Sequence, residues 1–297
     1  MFLIHTTPDE IQKLIKQLKF KKSPGYDLIR SEVLKNISEI ISPHISFLIN
    51  QCMETEHFPT ALKLGIIKPL FKGGDVKEVN NYRPITLITS IAKIFEMSIK
   101  TRIVKFLDKC DGLSENQFGF RPGRSTEDAI VYLTKNIYKA LDNKESSLCI
   151  FVDLAKAFDT VCHKKLIQKL ERHGIRGPCL GLLKSYLNDR KQAVSINKTT
   201  SSMKNITYGV PQGTVLGPLL FIIYMNDIFK LDIKGKIGSF ADDTFLFVKT
   251  NSWDETKQTA ENDFKKLQDW FDYNKLTLNK KRLILFLFPH ITRENQT

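Results

Sequence analysis

Two apolar stretches interrupted by acids do most to limit what this chain can fold into. SLCIFVDLA, residues 147–155, is an apolar run of strand length that stops at Asp153. KIGSFADDTFLFVKT, residues 236–250, reads as two strands meeting at Asp242 and Asp243. A carboxylate in apolar surroundings is costly unless it is solvated, paired or bound to a metal. These acids therefore belong at strand ends, and a hairpin turn presents the second pair at a tip. If the strand ending at Asp153 lies beside that hairpin, acids 89 residues apart in sequence converge. Adjacent acids repel, and a divalent cation relieves that repulsion; Mg²⁺, a hard cation taking oxygen ligands, suits such a set. Acids are also ordinary turn residues, so spacing alone leaves that reading open.

The rest of the chain alternates helices and strands irregularly. Residues 8–20 place Ile11, Leu14, Ile15 and Leu18 at helical spacing, and a second amphipathic segment runs to Ile41. GIIKPLF, residues 65–71, predicts a strand, and helices follow at 88–107 and, after a polar loop at 111–126, to Leu141. Further helices are expected at 163–173, 178–188, 218–230 and 253–272, with a last strand at 283–288. Neither an internal repeat nor a Gly/Ser/Pro-rich linker divides the sequence, so the expected class is one mixed α/β unit with sub-domains.

Composition narrows the partners. Forty-five Lys and Arg against 32 Asp and Glu leave a net charge of +13, which favours a polyanion whose counterions are released on binding. Five cysteines without a C-x-x-C pair argue against a disulfide framework or a zinc ribbon. No apolar stretch has membrane-span length, and the N-terminus is not a secretory signal. Walker-type, G-x-S-x-G and H-E-x-x-H motifs are absent.

FVDLAKAFDTV (151–161), YGVPQGTVLGPLLFIIYMNDI (208–228) and SFADDTFLFV (239–248) occur in this order, and they resemble motifs A, B and C of reverse transcriptases from non-long-terminal-repeat retrotransposons, the LINE and jockey-like group. KKSPGYDLIRSEVLK (21–35), IIKPLFKGGD with NYRPITL (66–87) and LSENQFGFRPGRSTEDAI (113–130) agree, and LQDWFDYNKLTLNKK (267–281) is similar to motif D. The resemblance runs from about residue 8 to residue 285. It implies a right-hand polymerase whose palm is an antiparallel sheet carrying the aspartates. Fingers would take in 1–145, palm 146–164, a fingers/palm connection 165–215 and palm again 216–288, with 289–297 unaligned. The implied activity is RNA-directed DNA polymerisation, a two-metal nucleotidyl transfer from deoxynucleoside triphosphates to a primer 3′ hydroxyl on an RNA or DNA template.

Carried over residue by residue, the resemblance makes Asp153 and Asp242 metal ligands, Asp243 an auxiliary carboxylate and the Leu154 carbonyl a ligand of the nucleotide-bound metal. The cofactor would be two Mg²⁺ ions, with Mn²⁺ as a substitute. Phe158 falls at the steric-gate position, Gln212 at a nucleotide contact, and Gly209 and Gly213 where the backbone comes close to substrate. Arg121 is the expected triphosphate ligand, while Lys68, Lys72 and Arg83 are expected phosphate or template contacts. Nuclear action follows from the retrotransposon life style, without a targeting signal in the sequence.

The sequence departs from the family in two places. Arg282 stands where motif D has Lys, keeping the charge but unable to give up a proton near neutral pH; a one-residue shift would put Lys281 there. The tail FPHITRENQT aligns with nothing in the family, so the expectation is a chain lacking the helical thumb and the upstream endonuclease. The alternative reading is a catalytically impaired, nucleic-acid-binding remnant of such an element.

Overall fold

The computed structural model describes residues 1, 3–19, 23–197, 199–279 and 282–288. In chain order the elements are α1 Pro8–Gln17, α2 Ser31–Asn36, α3 Ser38–Glu54, β1 Leu64–Phe71, β2 Tyr82–Leu87, α4 Ser90–Lys109, α5 Thr126–Asp142 and β3 Ser146–Val152. They continue with β4 Leu154–Ala155, α6 Ala157–Thr160, α7 His163–Arg172, α8 Pro178–Leu187, β5 Lys191–Ile196, β6 Thr199–Thr200 and β7 Lys204–Asn205. The last are α9 Gly217–Met225, β8 Lys236–Phe240, β9 Asp243–Thr250, α10 Trp253–Tyr273, β10 Thr277–Leu278 and β11 Ile284–Phe288. The expected mixture of helices and strands is met.

Helix starts follow the local chemistry. Thr7, Thr89 and Ser252 accept the backbone N–H of Glu10, Ala92 and Glu255, and Ser125 forms a reciprocal capping box with Asp128. The single amphipathic segment expected to end at Ile41 is instead two helices broken at Ile37 (φ −108°, ψ 20°), and the second runs on to Glu54 through Pro43. NYRPITL carries a strand that periodicity does not reveal: β2 pairs antiparallel with β1, and Pro84 faces Pro69. Two prolines opposite each other donate nothing to the ladder, which hides a strand from its residue types.

The chain forms two compact units, residues 1–112 with 163–220 and residues 113–162 with 221–297. Within the second unit α5 packs on β3 and β8. In the first unit, α1 buries Ile11, Leu14 and Ile15 and packs on α3 and α4. Its sheet runs β2-β1-β5-β6, with β7 on β5, and β1 lies parallel to β5.

The second unit is built on a four-stranded antiparallel sheet in the order β11-β3-β9-β8. Alternation puts Cys149, Phe245 and Phe247 on one face, where they form a core with Ala140 of α5. The intervening residues Leu148, Ile150, Leu246 and Val248 are buried as well, and α10 packs against β3 and β9. Burial on both faces explains why SLCIFV reads as a continuous apolar run rather than an alternating one. The outer strand β11 keeps Ile284, Leu285, Phe286 and Leu287 more than half exposed.

Candidate active site

The acids sit where their strands end. In β3 against β9 the register pairs Phe151 with Phe245 and Val152 with Thr244, so Asp153 and Asp243 follow at that end of the pairing. In β8 against β9, Phe240 pairs with Asp243, leaving Ala241 and Asp242 as a two-residue turn. Opposed residues of an antiparallel pair have Cβ atoms about 4.5–5.5 Å apart, close enough for charges to interact strongly. Burial first, then the charge of Asp153, lifts the Asp243 carboxyl above the usual carboxylate range, while Arg282 pulls it down.

Of the three expected acids, Asp243 begins β9 beside Asp153, and Asp242 precedes it in the turn. The Asp153 charge is felt at the Asp243 carboxyl, and Asp242 lies one residue earlier, outside the ladder. Among the described residues no group of three or more His, Cys, Asp or Glu gathers as a metal-binding set. The donors present are nonetheless hard oxygens, and two carboxylates pressed together with one proton affinity raised are chemically suited to a divalent cation.

Asp153 is held from a direction the sequence did not reveal. β10 pairs with β4, Leu278 facing Leu154, and this brings Asn279 onto the acid. The Asn279 backbone N–H donates to the Asp153 carbonyl and its Nδ2 to Oδ2, both at 2.9 Å. An asparagine one residue past a short strand carries no pattern of its own. Arg282 reaches the same Oδ2 at 3.5 Å with its side chain 73% exposed, so the pair is long and weak. Lys281, its expected substitute, lies outside the described residues. Leu154 is buried in the β4–β10 pair beside the acid.

Phe158 lies in the short α6, stacked on Phe221 at 4.3 Å and edge-on to Phe120 at 6.0 Å. It is half-buried. Arg121 donates from NH1 to the Ser114 carbonyl at 2.6 Å, an anchor within its own loop.

The other expected contacts belong to the first unit. The Gln212 carbonyl accepts the Thr86 N–H at 2.7 Å. Gly213 has φ +99°, and a Cβ there would stand 2.8 Å from the Thr86 carbonyl oxygen. Its need for glycine thus comes from β2, not only from an approaching substrate. Gly209 accepts from His163 Nε2 at 2.7 Å, and burial holds the His163 imidazole below its ordinary value. The same loop is anchored by Glu96, fully buried in α4. One Glu96 oxygen accepts the Val215 and Leu216 N–H groups at 2.6 and 3.0 Å, and the other accepts Tyr186 OH at 3.0 Å. A lone acid on the apolar face of SIAKIFEMSI was the available signal, and the sequence reading passed over it.

Lys68, Lys72 and Arg83 share one face of the β1–β2 arm. Leu70 pairs with Arg83, and Lys68 and Lys72 flank Leu70 at the strand period of two. All three are exposed, and Lys68 Nζ also reaches Ser195 Oγ at 2.8 Å. All five cysteines are free. Among the described residues no helix is long and apolar enough to cross a membrane.

Comparison with known proteins accords with this arrangement. Residues 72–289 match the sequence profile of the family described as reverse transcriptase (RNA-dependent DNA polymerase). The chain is 37% identical over 241 residues to the "Probable RNA-directed DNA polymerase from transposon X-element" of Drosophila melanogaster, covering 80% of this chain and 26% of the relative. It is 30% identical over 295 residues to the RNA-directed DNA polymerase from mobile element jockey of the same fly, covering 96% of this chain and 32% of the relative. It thus spans about a quarter to a third of these curated relatives. Among solved structures, telomerase from Candida albicans with a fragment of telomeric RNA shares the fold at TM-score 0.53 and 13% identity, over 81% of this chain and 45% of that one.

Proposed function

Since this chain belongs to the family of reverse transcriptases, the RNA-dependent DNA polymerases, we propose that it is the fingers-and-palm part of an enzyme that extends a DNA primer on an RNA template. The observation that carries this reading is the approach of Asp153, one residue past β3, to Asp243, the first residue of β9, whose proton affinity is raised by burial and by the Asp153 charge. The antiparallel sheet is the palm, and the first unit supplies most of the fingers, with Lys68, Lys72 and Arg83 offered to nucleic-acid phosphates.

The reaction joins the primer 3′ oxygen to the α-phosphorus of a deoxynucleoside triphosphate, breaks the α–β phosphoanhydride bond and releases pyrophosphate and the hydroxyl proton. Asp153 and Asp243, with Asp242 on the adjoining turn and the Leu154 carbonyl, are the oxygens that would hold Mg²⁺ or Mn²⁺. Those cations, when bound, supply charge to acidify the 3′ hydroxyl and neutralise the departing phosphates. Asn279 fixes Asp153 through two hydrogen bonds, leaving its carboxylate one preferred orientation. Phe158 offers a ring edge too bulky for a 2′ hydroxyl. Gln212 and Gly213 stand for the nucleotide, and Arg121 and Arg282 for its phosphates, since a guanidinium matches phosphate oxygens in pairs. A nuclear site of action is part of this proposal, since such an element copies itself into chromosomal DNA.

Primer extension on poly(rA)/oligo(dT) with Mg²⁺ or Mn²⁺ tests this. The wild-type chain should incorporate dTTP, and Asp153→Ala should lower the rate by about a hundredfold or more. No incorporation by a folded protein that binds the duplex would defeat the proposal. The contact of Arg282 with Asp153 favours a second reading, a nucleic-acid-binding remnant whose own cation occupies the acid. That reading requires salt-sensitive duplex binding and no extension, with binding indifferent to Asp153→Ala.

A further inference from the structure

We propose that Gln117 is a positioning residue that holds the Ala241–Asp242 turn in the shape that sets the acids. The inference rests on the reading of that turn as part of a metal-dependent active site. It starts from the loop ahead of α5, which runs alongside β8. The Ser239 N–H donates to the Asn116 carbonyl at 2.9 Å, and the Phe118 N–H donates to the Ser239 carbonyl at 2.8 Å. Gln117 forms a parallel bridge with Ser239 and is 0% exposed.

The side-chain carbonyl of Gln117 accepts two backbone N–H groups, from Gly119 at 3.0 Å and from Ala241 at 3.1 Å. Two donors on one atom fix which end of the amide is oxygen. The Nε2 end is buried and has no hydrogen-bond partner among the described residues. Buried donors are rarely left so. The hydrogen bonding of this side chain is concentrated at its oxygen end.

What the oxygen end does is pin a strained residue. Ala241 has φ +61°, a region that residues with a Cβ enter at a cost and hold only when their surroundings impose it. Its N–H is held by Gln117, and its carbonyl accepts from Ser239 Oγ at 2.9 Å. Access to the N–H depends on Gly119, where a Cβ would stand 2.3 Å from the Ala241 nitrogen. Asp242 and Asp243 follow immediately, so releasing Ala241 re-aims both acids relative to Asp153. Gln117 touches no reacting atom and acts through the turn.

The test uses Gln117→Met, which keeps the volume and loses the acceptor, and Gln117→Glu, which keeps an acceptor. Three quantities are measured on the whole chain: hydrogen exchange at the Ala241 amide, Mn²⁺ binding followed by electron paramagnetic resonance, and primer extension. Gln117→Met should exchange the Ala241 amide faster and weaken Mn²⁺ binding by about tenfold or more, as loss of supporting contacts around metal ligands does. Gln117→Glu should stay near wild type on both. Gly119→Ala, which leaves Gln117 intact but crowds Ala241, should weaken Mn²⁺ binding in the same way. If Gln117→Met does not fold, Gln117→Asn, one methylene shorter, puts the same question. Unchanged Ala241 exchange in a folded variant lacking the acceptor overturns the inference, as does a loss of thermal stability with wild-type Mn²⁺ binding. A wild-type chain that neither binds Mn²⁺ nor extends a primer would instead sink the polymerase reading, and the exchange measurement would still decide the role of Gln117.

Discussion

Replacing Glu96 by alanine should destabilise the first unit by about 3–6 kcal/mol, because three buried donors lose their acceptor at once. Two are backbone N–H groups, of Val215 and Leu216, that no rotation can redirect, and the third is the hydroxyl of fully buried Tyr186. Each orphaned donor costs about 1–3 kcal/mol, and water entering the vacated space offsets part of the sum. Against a typical stability of about 5–15 kcal/mol this is a large fraction. Glu96→Gln keeps an acceptor for both N–H groups and should stay within about 1 kcal/mol of wild type near neutral pH.

The pH dependence separates charge from hydrogen bonding. Burial lifts the Glu96 carboxyl above its ordinary value, opposed by the Arg190 charge and by the two N–H donors. A raised folded-state pKa means its contribution is fully present below the unfolded glutamate value and is lost as pH rises through the folded one. Glu96→Gln removes that loss, so the variant should gain on wild type as pH is raised. Urea unfolding followed by far-ultraviolet circular dichroism is the assay; Trp253 and Trp270 both belong to the second unit, so their fluorescence watches the wrong half. If Glu96→Ala unfolds at the wild-type midpoint, or Glu96→Gln is as damaged as Glu96→Ala, the acceptor argument is refuted.

Gly213→Ala should cost about 1–3 kcal/mol by thermal unfolding, since φ +99° and the Thr86 oxygen both oppose a methyl group; a neutral outcome would mean the loop moves freely off β2. Removing Lys68, Lys72 and Arg83 together should flatten the plot of log binding constant against log salt for duplex by up to about 2–3 in slope, and an unchanged slope would take the β1–β2 arm out of the nucleic-acid path. His163, half-buried with its pKa held down, contributes stability that is present above the ordinary imidazole value and declines as pH falls through it toward the folded one. His163→Gln should blunt that acid-side decline in urea titrations, and an identical pH profile would show that another group causes it.

The acid-tipped hairpin was legible because two signals coincided in it: strand-length apolar runs, and acids that such runs tolerate only at their ends. The same logic placed β1, α4, α7, α8, α10 and β11 close to where they lie. β2 escaped because Pro84 disguises a strand whose partner offers Pro69 in return. The join at Ile37 escaped because a helix break without Gly or a following Pro leaves no mark. At the site, the approach of Asp153 to Asp243 needed a register, which no spacing supplies. Gln117 and Glu96 act on backbone groups 124 and 119–120 residues away. Only the folded chain reveals which main-chain donors those side chains meet.

The two-residue interval between Phe240 and Asp243 makes the doubled acid a poor safeguard. Neighbouring aspartates look interchangeable, as if losing either left a spare. Pairing with β3 forbids it: shifting the hairpin by one place to bring Asp242 across from Asp153 would also turn Phe245 and Phe247 out of the α5 core. The packing of the sheet therefore fixes which of the two acids begins β9 and which stays in the turn.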